Sequence, residues 1–259
     1  MQKSSFVKRA ITTGLFVPIL FYLVFLENPL PFFLLITIII SLCLLEFYRL
    51  FKSSLYMGLF FGILLSVSCY YTYTFTHLIL VLAILTRFTK NLIKRDSLYD
   101  ILIFVFGIIY IGFMLSHLIL LRRLENGQRF LLFLFLVTWM TDIFAYLIGI
   151  VCGRHKFILS VSPNKSLEGT IGGGIIAILT SILVKSFFLQ SLSLVHCLIL
   201  GSILGIFTQL GDLAESLIKR DVGVKDSGDL IPGHGGVLDV FDSLIFTSPI
   251  MYYYVTYFL

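Results

Sequence analysis

Seven carboxylates, Asp212, Glu215, Asp221, Asp226, Asp229, Asp239 and Asp242, fall within 31 residues of a 259-residue chain that has only 14 Asp and Glu in all. They lie among basic residues and glycines in LGDLAESLIKRDVGVKDSGDLIPGHGGVLDVFD, with apolar runs on either side. Carboxylates near membrane depth are costly and by default mark an ion, proton or substrate site. If the run through FTQLGDLAESLIKR is helical, Asp212, Glu215, Ser216 and Lys219 recur at i, i+3, i+4 and i+7, along one stripe. Asp239 and Asp242 are spaced i, i+3 on the last run. Carboxylates on facing helices suit Mg²⁺, which takes oxygen ligands and keeps waters that a phosphate can replace. Lys219, Arg220 and Lys225 can balance phosphate charge, and Gly233, Gly235 and Gly236 let a backbone approach a phosphate closely. These are the parts of metal-assisted phosphoryl or nucleotidyl transfer. No GxxxxGK[ST] sequence is present, which excludes a P-loop enzyme. The competing reading is a solvated loop, with Lys219, Arg220 and Asp221 as snorkelling anchors. It accounts poorly for Asp212 and Asp239, which sit inside apolar runs. His234 is the one histidine in a polar glycine loop, and ligand, phosphate-contact and loop-bracing roles stand open beside no role at all. His77, His117, His155 and His196 read as interfacial or packing residues.

A second polar cluster lies upstream, in TDIFAYLIGIVCGRHKF and SPNKSLEGTIGGG. Helical spacing puts Asp142, Tyr146 and Gly149 on one face. Ser162-Pro163 predicts a helix start, Ser as N-cap and Pro at the first helical position, with Lys165 and Glu168 then near the membrane surface. The small residues of GTIGGG predict close helix packing. Asp142, in the middle of an apolar run, is better explained by function.

The elements that position these groups must sit in lipid. The chain is 58% hydrophobic and 13% charged, with 26 phenylalanines, and its mean hydropathy is +1.02. Such a chain cannot cover itself with polar surface. The expected fold is all-α: a polytopic integral membrane protein with about nine transmembrane helices, or eight if 77–89 does not span. The predicted spans are 10–26, 30–48, 55–75, 77–89, 98–121, 130–152, 170–190, 194–214 and 238–258. Residues 1–259 form one integral membrane domain, with N-terminal spans over 1–130 and a catalytic half over 131–259. The net charge of +5 comes from short connections, where orientation bias and lipid head groups explain it before nucleic acid does. Lys3, Lys8 and Arg9 place the N-terminus in the cytosol. The first apolar run lacks a small-residue cleavage site and is expected to be a retained span. With nine spans, connections 153–169 and 215–237 face the cytosol, whereas Arg122, Arg123 and Arg129 fall outside, against the charge rule. Cys43, Cys69, Cys152 and Cys197 have no CxxC spacing and imply neither disulfides nor a metal cage.

SLIKRDVGVKDSGDLIPGHGGVLDVFD closely resembles the signature of the phosphatidate cytidylyltransferase (CDP-diacylglycerol synthase) family. That pattern runs S-x-apolar-K-R, K-D, H-G-G, D-R-x-D, and falls here on Ser216, Lys219, Arg220, Lys225, Asp226, His234, Gly235, Gly236, Asp239 and Asp242. Upstream, Asp142, Gly153, Arg154, Lys156, Ser162, Pro163, Lys165, Glu168 and Gly169 are similar to the family, as is QLGDLAES with Asp212 and Glu215. The resemblance covers about residues 138–245, and the N-terminal half joins it only through hydropathy. Two positions depart from the pattern: Val240 stands where Arg is usual, and Ser166 where Thr is.

The resemblance implies that CTP and phosphatidic acid yield CDP-diacylglycerol and pyrophosphate, by in-line attack of the lipid phosphate on the α-phosphorus. It implies Mg²⁺ on Asp212, Asp239 and Asp242, with a second cation open. Lys219, Arg220, Lys225, Asp226 and His234 join those three as the catalytic set. Asp142, Ser162, Lys165, Ser166, Glu168, Glu215, Ser216, Ser227, Gly235 and Gly236 are the implied substrate-binding residues. The expected partners are CTP, phosphatidic acid, the lipid bilayer and a second copy of the chain, but no nucleic acid. The expected location is a bacterial inner membrane with a cytosolic active site. From the carboxylates alone, a polytopic cation transporter is the alternative, although it has no use for the glycine–histidine loop. A lipid kinase or CDP-alcohol phosphotransferase shares the chemistry, but the latter's D-G-x2-A-R pattern is absent.

Overall fold

The computed structural model describes residues 2–94, 97–156, 161–233 and 235–259, with side chains from Thr12 onward. Long apolar runs leave the backbone one solution in lipid, hydrogen bonding within the segment, and the described residues are helical almost throughout. The helices are α1 (Gln2–Phe25), α2 (Leu30–Leu50), α3 (Leu55–Tyr71), α4 (Thr76–Lys94), α5 (Leu98–Gly107), α6 (Met114–Arg123), α7 (Gly127–Cys152), α8 (Leu167–Phe188), α9 (Leu194–Val222) and α10 (Leu238–Phe258). A π-helical stretch, Ile108–Phe113, joins α5 to α6 as one rod. Among the described residues, six helical segments are long and apolar enough to cross a membrane: α2, Tyr73–Lys94, Leu98–Arg123, α7, α8 and α9; Thr12–Phe25 and α3 are shorter apolar helices. The protein is an all-α, polytopic integral membrane protein.

The chain forms two compact units, Met1–Arg123 with Asp226–Val240, and Leu124–Lys225 with Phe241–Leu259. In the first unit, Arg122 donates to the Leu26 carbonyl at 2.6 Å and Arg123 to the Cys69 carbonyl at 2.9 Å. These carbonyls sit at the C-terminal ends of α1 and α3, where helices leave acceptors without intrahelical partners. Two of the three arginines that break the charge rule, Arg122 and Arg123, are therefore helix caps. Their contacts also bring the ends of α1, α3 and the 98–123 rod to one face. The short fourth run lies within Tyr73–Lys94, which is itself long and apolar enough to cross a membrane.

In the second unit α8 packs on α7 and α9 through small residues. An alanine Cβ at Gly169 would stand 2.5 Å from the Ala145 carbonyl oxygen, and one at Gly173 3.0 Å from that of Thr141. On the α9 side, a Cβ at Gly201 would lie 2.8 Å from Ile178 Cα. Gly169, Gly173, Ala177 and Ser181 recur every four residues on the buried side, while Ile171, Ile175, Leu179 and Leu183 follow the same spacing on the exposed, lipid-facing side. GTIGGG is thus packing surface, as its composition predicts. The helix start predicted at Ser162-Pro163 is not found. Residues 161–165 form a turn closed by Lys165 N–H to the Ser162 carbonyl at 3.2 Å, and α8 begins four residues later at Leu167. Ser166 is its cap, its hydroxyl accepting from Gly169 N–H at 3.2 Å.

Candidate active site

Two constellations carry the polar residues, one within each unit. In the second unit a cavity of about 620 Å³ opens between α7, residues 153–156 and 162–166, the head of α8 and α9. Asp142, Tyr146, Gly149 and Gly153 line it along one face of α7, as the helical spacing predicts; Ser162, Lys165 and Ser166 close it from the connection, and Gln209 and Asp212 from α9. Lys165 is the hub. Its Nζ lies 2.7 Å from Asp212 Oδ2 and donates to the Gln209 carbonyl at 3.3 Å. Asp142, Asp212 and Asp242 stand within electrostatic range of one another, and Lys165 within range of all three.

The α9 stripe resolves into two i, i+4 pairs. Ser216 donates to Asp212 Oδ1 at 3.3 Å, and Lys219 Nζ lies 2.5 Å from Glu215 Oε2, with Glu215 fully buried. Glu168 braces the connection instead of facing the cavity. It accepts from the Arg154 N–H at 3.0 Å and the His155 N–H at 3.2 Å, and lies 2.6 Å from His155 Nδ1. Lys156 donates to the Pro163 carbonyl at 2.8 Å, and Arg220 Nε to the Val161 carbonyl at 3.3 Å. The described parts of the connection, 153–156 and 161–166, are thus held by side chains that the resemblance singles out.

The first unit holds the signature loop. Asp239, in the first turn of α10, accepts at one oxygen, Oδ2, from Ser227 N–H (2.9 Å), Ser227 Oγ–H (2.8 Å) and Gly236 N–H (2.7 Å). Ile231 and Gly235 pair by two backbone hydrogen bonds of 2.8 and 3.1 Å, closing a tight turn in which Gly233 and Gly235 have positive φ of 88° and 105°. These two positions need glycine. His234 lies outside the described residues. Lys225 and Asp226 are exposed. Asp212 and Asp242 belong to the second unit and Asp239 to the first.

Residues 7–258 match the cytidylyltransferase family. The chain belongs to that family. A phosphatidate cytidylyltransferase of Bacillus subtilis is 34% identical over 264 residues, covering 97% of this chain and 98% of the relative. One from Staphylococcus saprophyticus is 40% identical over 168 residues, 65% of this chain and 64% of that one. An uncharacterized Escherichia coli protein, YnbB, is 45% identical over 156 residues, covering 58% and 52% of the two chains. The chain thus spans just under two thirds of the staphylococcal relative it matches. Membership in the cytidylyltransferase family reaches back through α1–α6, which hydropathy alone could not establish.

Two polar residues that pack into these constellations escape sequence reasoning. Gln209, whose amide donates to the Thr170 carbonyl at 2.8 Å, lies one turn before Asp212 in an apolar run. Glu46, 3% exposed in α2, accepts from Val237 and Leu238 N–H at 2.9 and 2.8 Å. In both cases the available signal was a polar residue inside an apolar helix.

Among the described residues, no three His, Cys, Asp or Glu side chains converge tightly enough to hold an ion as they stand. The donor chemistry nevertheless suits a hard divalent cation. Asp142, Asp212, Asp242 and Glu215 supply carboxylate oxygens, while Lys165 and Lys219 are the cations placed against them. The cluster sets four carboxyl groups against two lysines, an oxygen-rich donor set of the kind Mg²⁺ takes.

Proposed function

We propose that the chain is a phosphatidate cytidylyltransferase, converting CTP and phosphatidic acid to CDP-diacylglycerol and pyrophosphate at the cytosolic face of a bacterial inner membrane. The observation that carries this reading is the cavity in the second unit, where Asp142, Asp212 and Lys165 line one space at the head of α8, with Asp242 in electrostatic range of both aspartates. A nucleotide triphosphate needs cations and hydrogen-bond donors, and a lipid phosphate needs a polar site that opens to the bilayer. The cavity brings Lys165 and polar groups to the head of α8, whose Ile171, Ile175 and Leu179 are exposed. A cation transporter would use the aspartates but not the hydrogen-bonded segments 154–156 and 161–166 or the glycine loop.

An oxygen of the lipid phosphate forms a bond to the α-phosphorus of CTP, and the bond from that phosphorus to the bridging oxygen of the β-phosphate breaks, releasing pyrophosphate. The lipid phosphate is already largely ionised near neutral pH, so positioning and charge do most of the work. Lys165 is placed to trade Asp212 for a phosphate oxygen, and Ser162 and Lys156 stand at the rim for the remaining phosphates. Arg220 and Lys219, at the end of α9, favour the departing pyrophosphate by charge. Gln209 fixes Lys165 through its carbonyl and α8 through Thr170. Mg²⁺ held by Asp212 and Asp242, with Asp142 in range, would supply Lewis-acid stabilisation of charge on the phosphates.

The test is formation of radiolabelled CDP-diacylglycerol from labelled CTP by the purified, full-length protein in detergent with phosphatidic acid and Mg²⁺. Turnover is expected, with loss on chelation and recovery on returning Mg²⁺. Asp212→Asn and Lys165→Met are expected to lower kcat by about 100-fold or more. A well-folded Asp212→Asn protein with full turnover would refute the assignment.

A further inference from the structure

Glu46 lies in α2, far in sequence from the signature loop and from the cavity residues of the second unit, and is 3% exposed. Its surroundings within the first unit are built around it. Oε1 accepts from Val237 N–H at 2.9 Å, while Oε2 accepts from Leu238 N–H at 2.8 Å and faces the Ser227 hydroxyl at 3.2 Å. Val237 and Leu238 carry the leading N–H groups of α10, which no intrahelical carbonyl satisfies, and an anion at a helix N-terminus is stabilised by the helix dipole. Two glycines wrap the carboxylate: a Cβ at Gly228 would lie 2.7 Å from Oε1, and one at Gly236 2.5 Å from Oε2. The Ser227 hydroxyl has one proton and two carboxylates before it. At 2.8 Å Asp239 is the nearer acceptor. Glu46 and Asp239 thus clamp the loop from both sides, through Ser227 and through the glycine turn.

We infer that Glu46 is a positioning residue for cytidylyl transfer, holding the signature loop and the head of α10 so that Asp239 is fixed on its three donors. The inference rests on the function proposed above. The requirement is for two acceptor oxygens, since Val237 and Leu238 each direct an N–H at a different one. Glutamine has nearly the same shape but replaces one oxygen with an NH₂ group, which would face an N–H. Aspartate keeps both oxygens but is one methylene too short.

The test compares wild type, Glu46→Gln and Glu46→Asp as full-length proteins in detergent, each assayed for turnover per folded molecule and for amide hydrogen exchange. Glu46→Gln is expected to lower kcat about 100-fold, the order set by a displacement near 1 Å, with KM for CTP within about threefold of wild type. Exchange should quicken at Ser227 and 236–238 and stay unchanged in α7–α9. Glu46→Asp should fall between the two in both readouts. Wild-type kcat in Glu46→Gln overturns the inference, as does a lower kcat without faster exchange in the loop, or faster exchange across the whole protein. If Glu46→Gln does not fold, wild type still decides: Val237 and Leu238 amides that exchange as fast as those of the exposed 223–226 segment overturn the clamp. If wild type makes no CDP-diacylglycerol, the functional proposal fails, while the exchange measurements still judge the clamp.

Discussion

Replacing Gly169 by alanine adds one methyl group where α8 crosses α7. The new Cβ would lie 2.5 Å from the Ala145 carbonyl oxygen, 3.1 Å from Gly149 Cα and 3.2 Å from Gly149 N. All three are backbone atoms, so no side chain can rotate away. Ordinary contact begins at 3.4 Å, so the head of α8 must retreat from α7 by up to about 0.9 Å. Overpacking of this kind costs about 1–3 kcal/mol, partly offset by the better helix propensity of alanine, up to about 1 kcal/mol. A net loss of about 1–2 kcal/mol follows. The larger consequence is catalytic. Lys165 and Ser166 precede α8 directly and line the cavity that Asp142 and Gly149 line from α7. A displacement approaching 1 Å between these two walls is expected to lower kcat by about 10- to 100-fold. Gly174 is the control, because a Cβ there meets nothing within 4 Å; Gly174→Ala should keep wild-type turnover and gain slightly in stability. The assays are CDP-diacylglycerol formation from labelled CTP and the temperature at which the monodisperse peak is lost in size-exclusion chromatography. Equal turnover and equal heat resistance in the two variants would show that the α7–α8 crossing does not set the geometry of the site.

Arg123→Met removes the charged donor to the Cys69 carbonyl at the end of α3 and is expected to cost about 1.5–3 kcal/mol; heat resistance should drop while turnover per folded molecule stays at the wild-type value. Ser166→Ala removes the cap of α8 and should cost about 1 kcal/mol. Ser166→Thr, the residue usual in the family pattern, keeps the hydroxyl, and its heat resistance should stay within error of wild type.

Much of this was legible because membranes simplify the reading. Apolar length gave the helices, and helical spacing put Asp142, Tyr146 and Gly149 on one face and paired Ser216 with Asp212. What failed was local. Ser162-Pro163 has the composition of a helix start, yet Lys165 extends toward Asp212 and Gln209, contacts 44 and more positions away that local pattern does not encode. The helix therefore starts after that lysine, with Ser166 supplying the cap. Arg122 and Arg123 misled the charge count for a related reason. Positive charge orients a loop when it stays in water near the head groups, whereas these two are spent on helix-end carbonyls.

Glu46 shows where a reading of clusters loses information. Seven acids in one stretch draw attention because they are near one another in sequence, but three of them, Asp221, Asp226 and Asp229, are exposed, where a carboxylate costs little. A single acid in SLCLLEFYRL cannot be solvated cheaply and must find donors within the protein. No neighbour in α2 can provide them, since the helix has already used its own N–H groups. The donors must therefore come from another chain segment, and the richest source of unpaired N–H groups in a helical membrane protein is the N-terminus of a helix. Reasoned this way, one buried carboxylate in an apolar run points to a distant helix start, and in this chain that start is Leu238, where the signature loop ends.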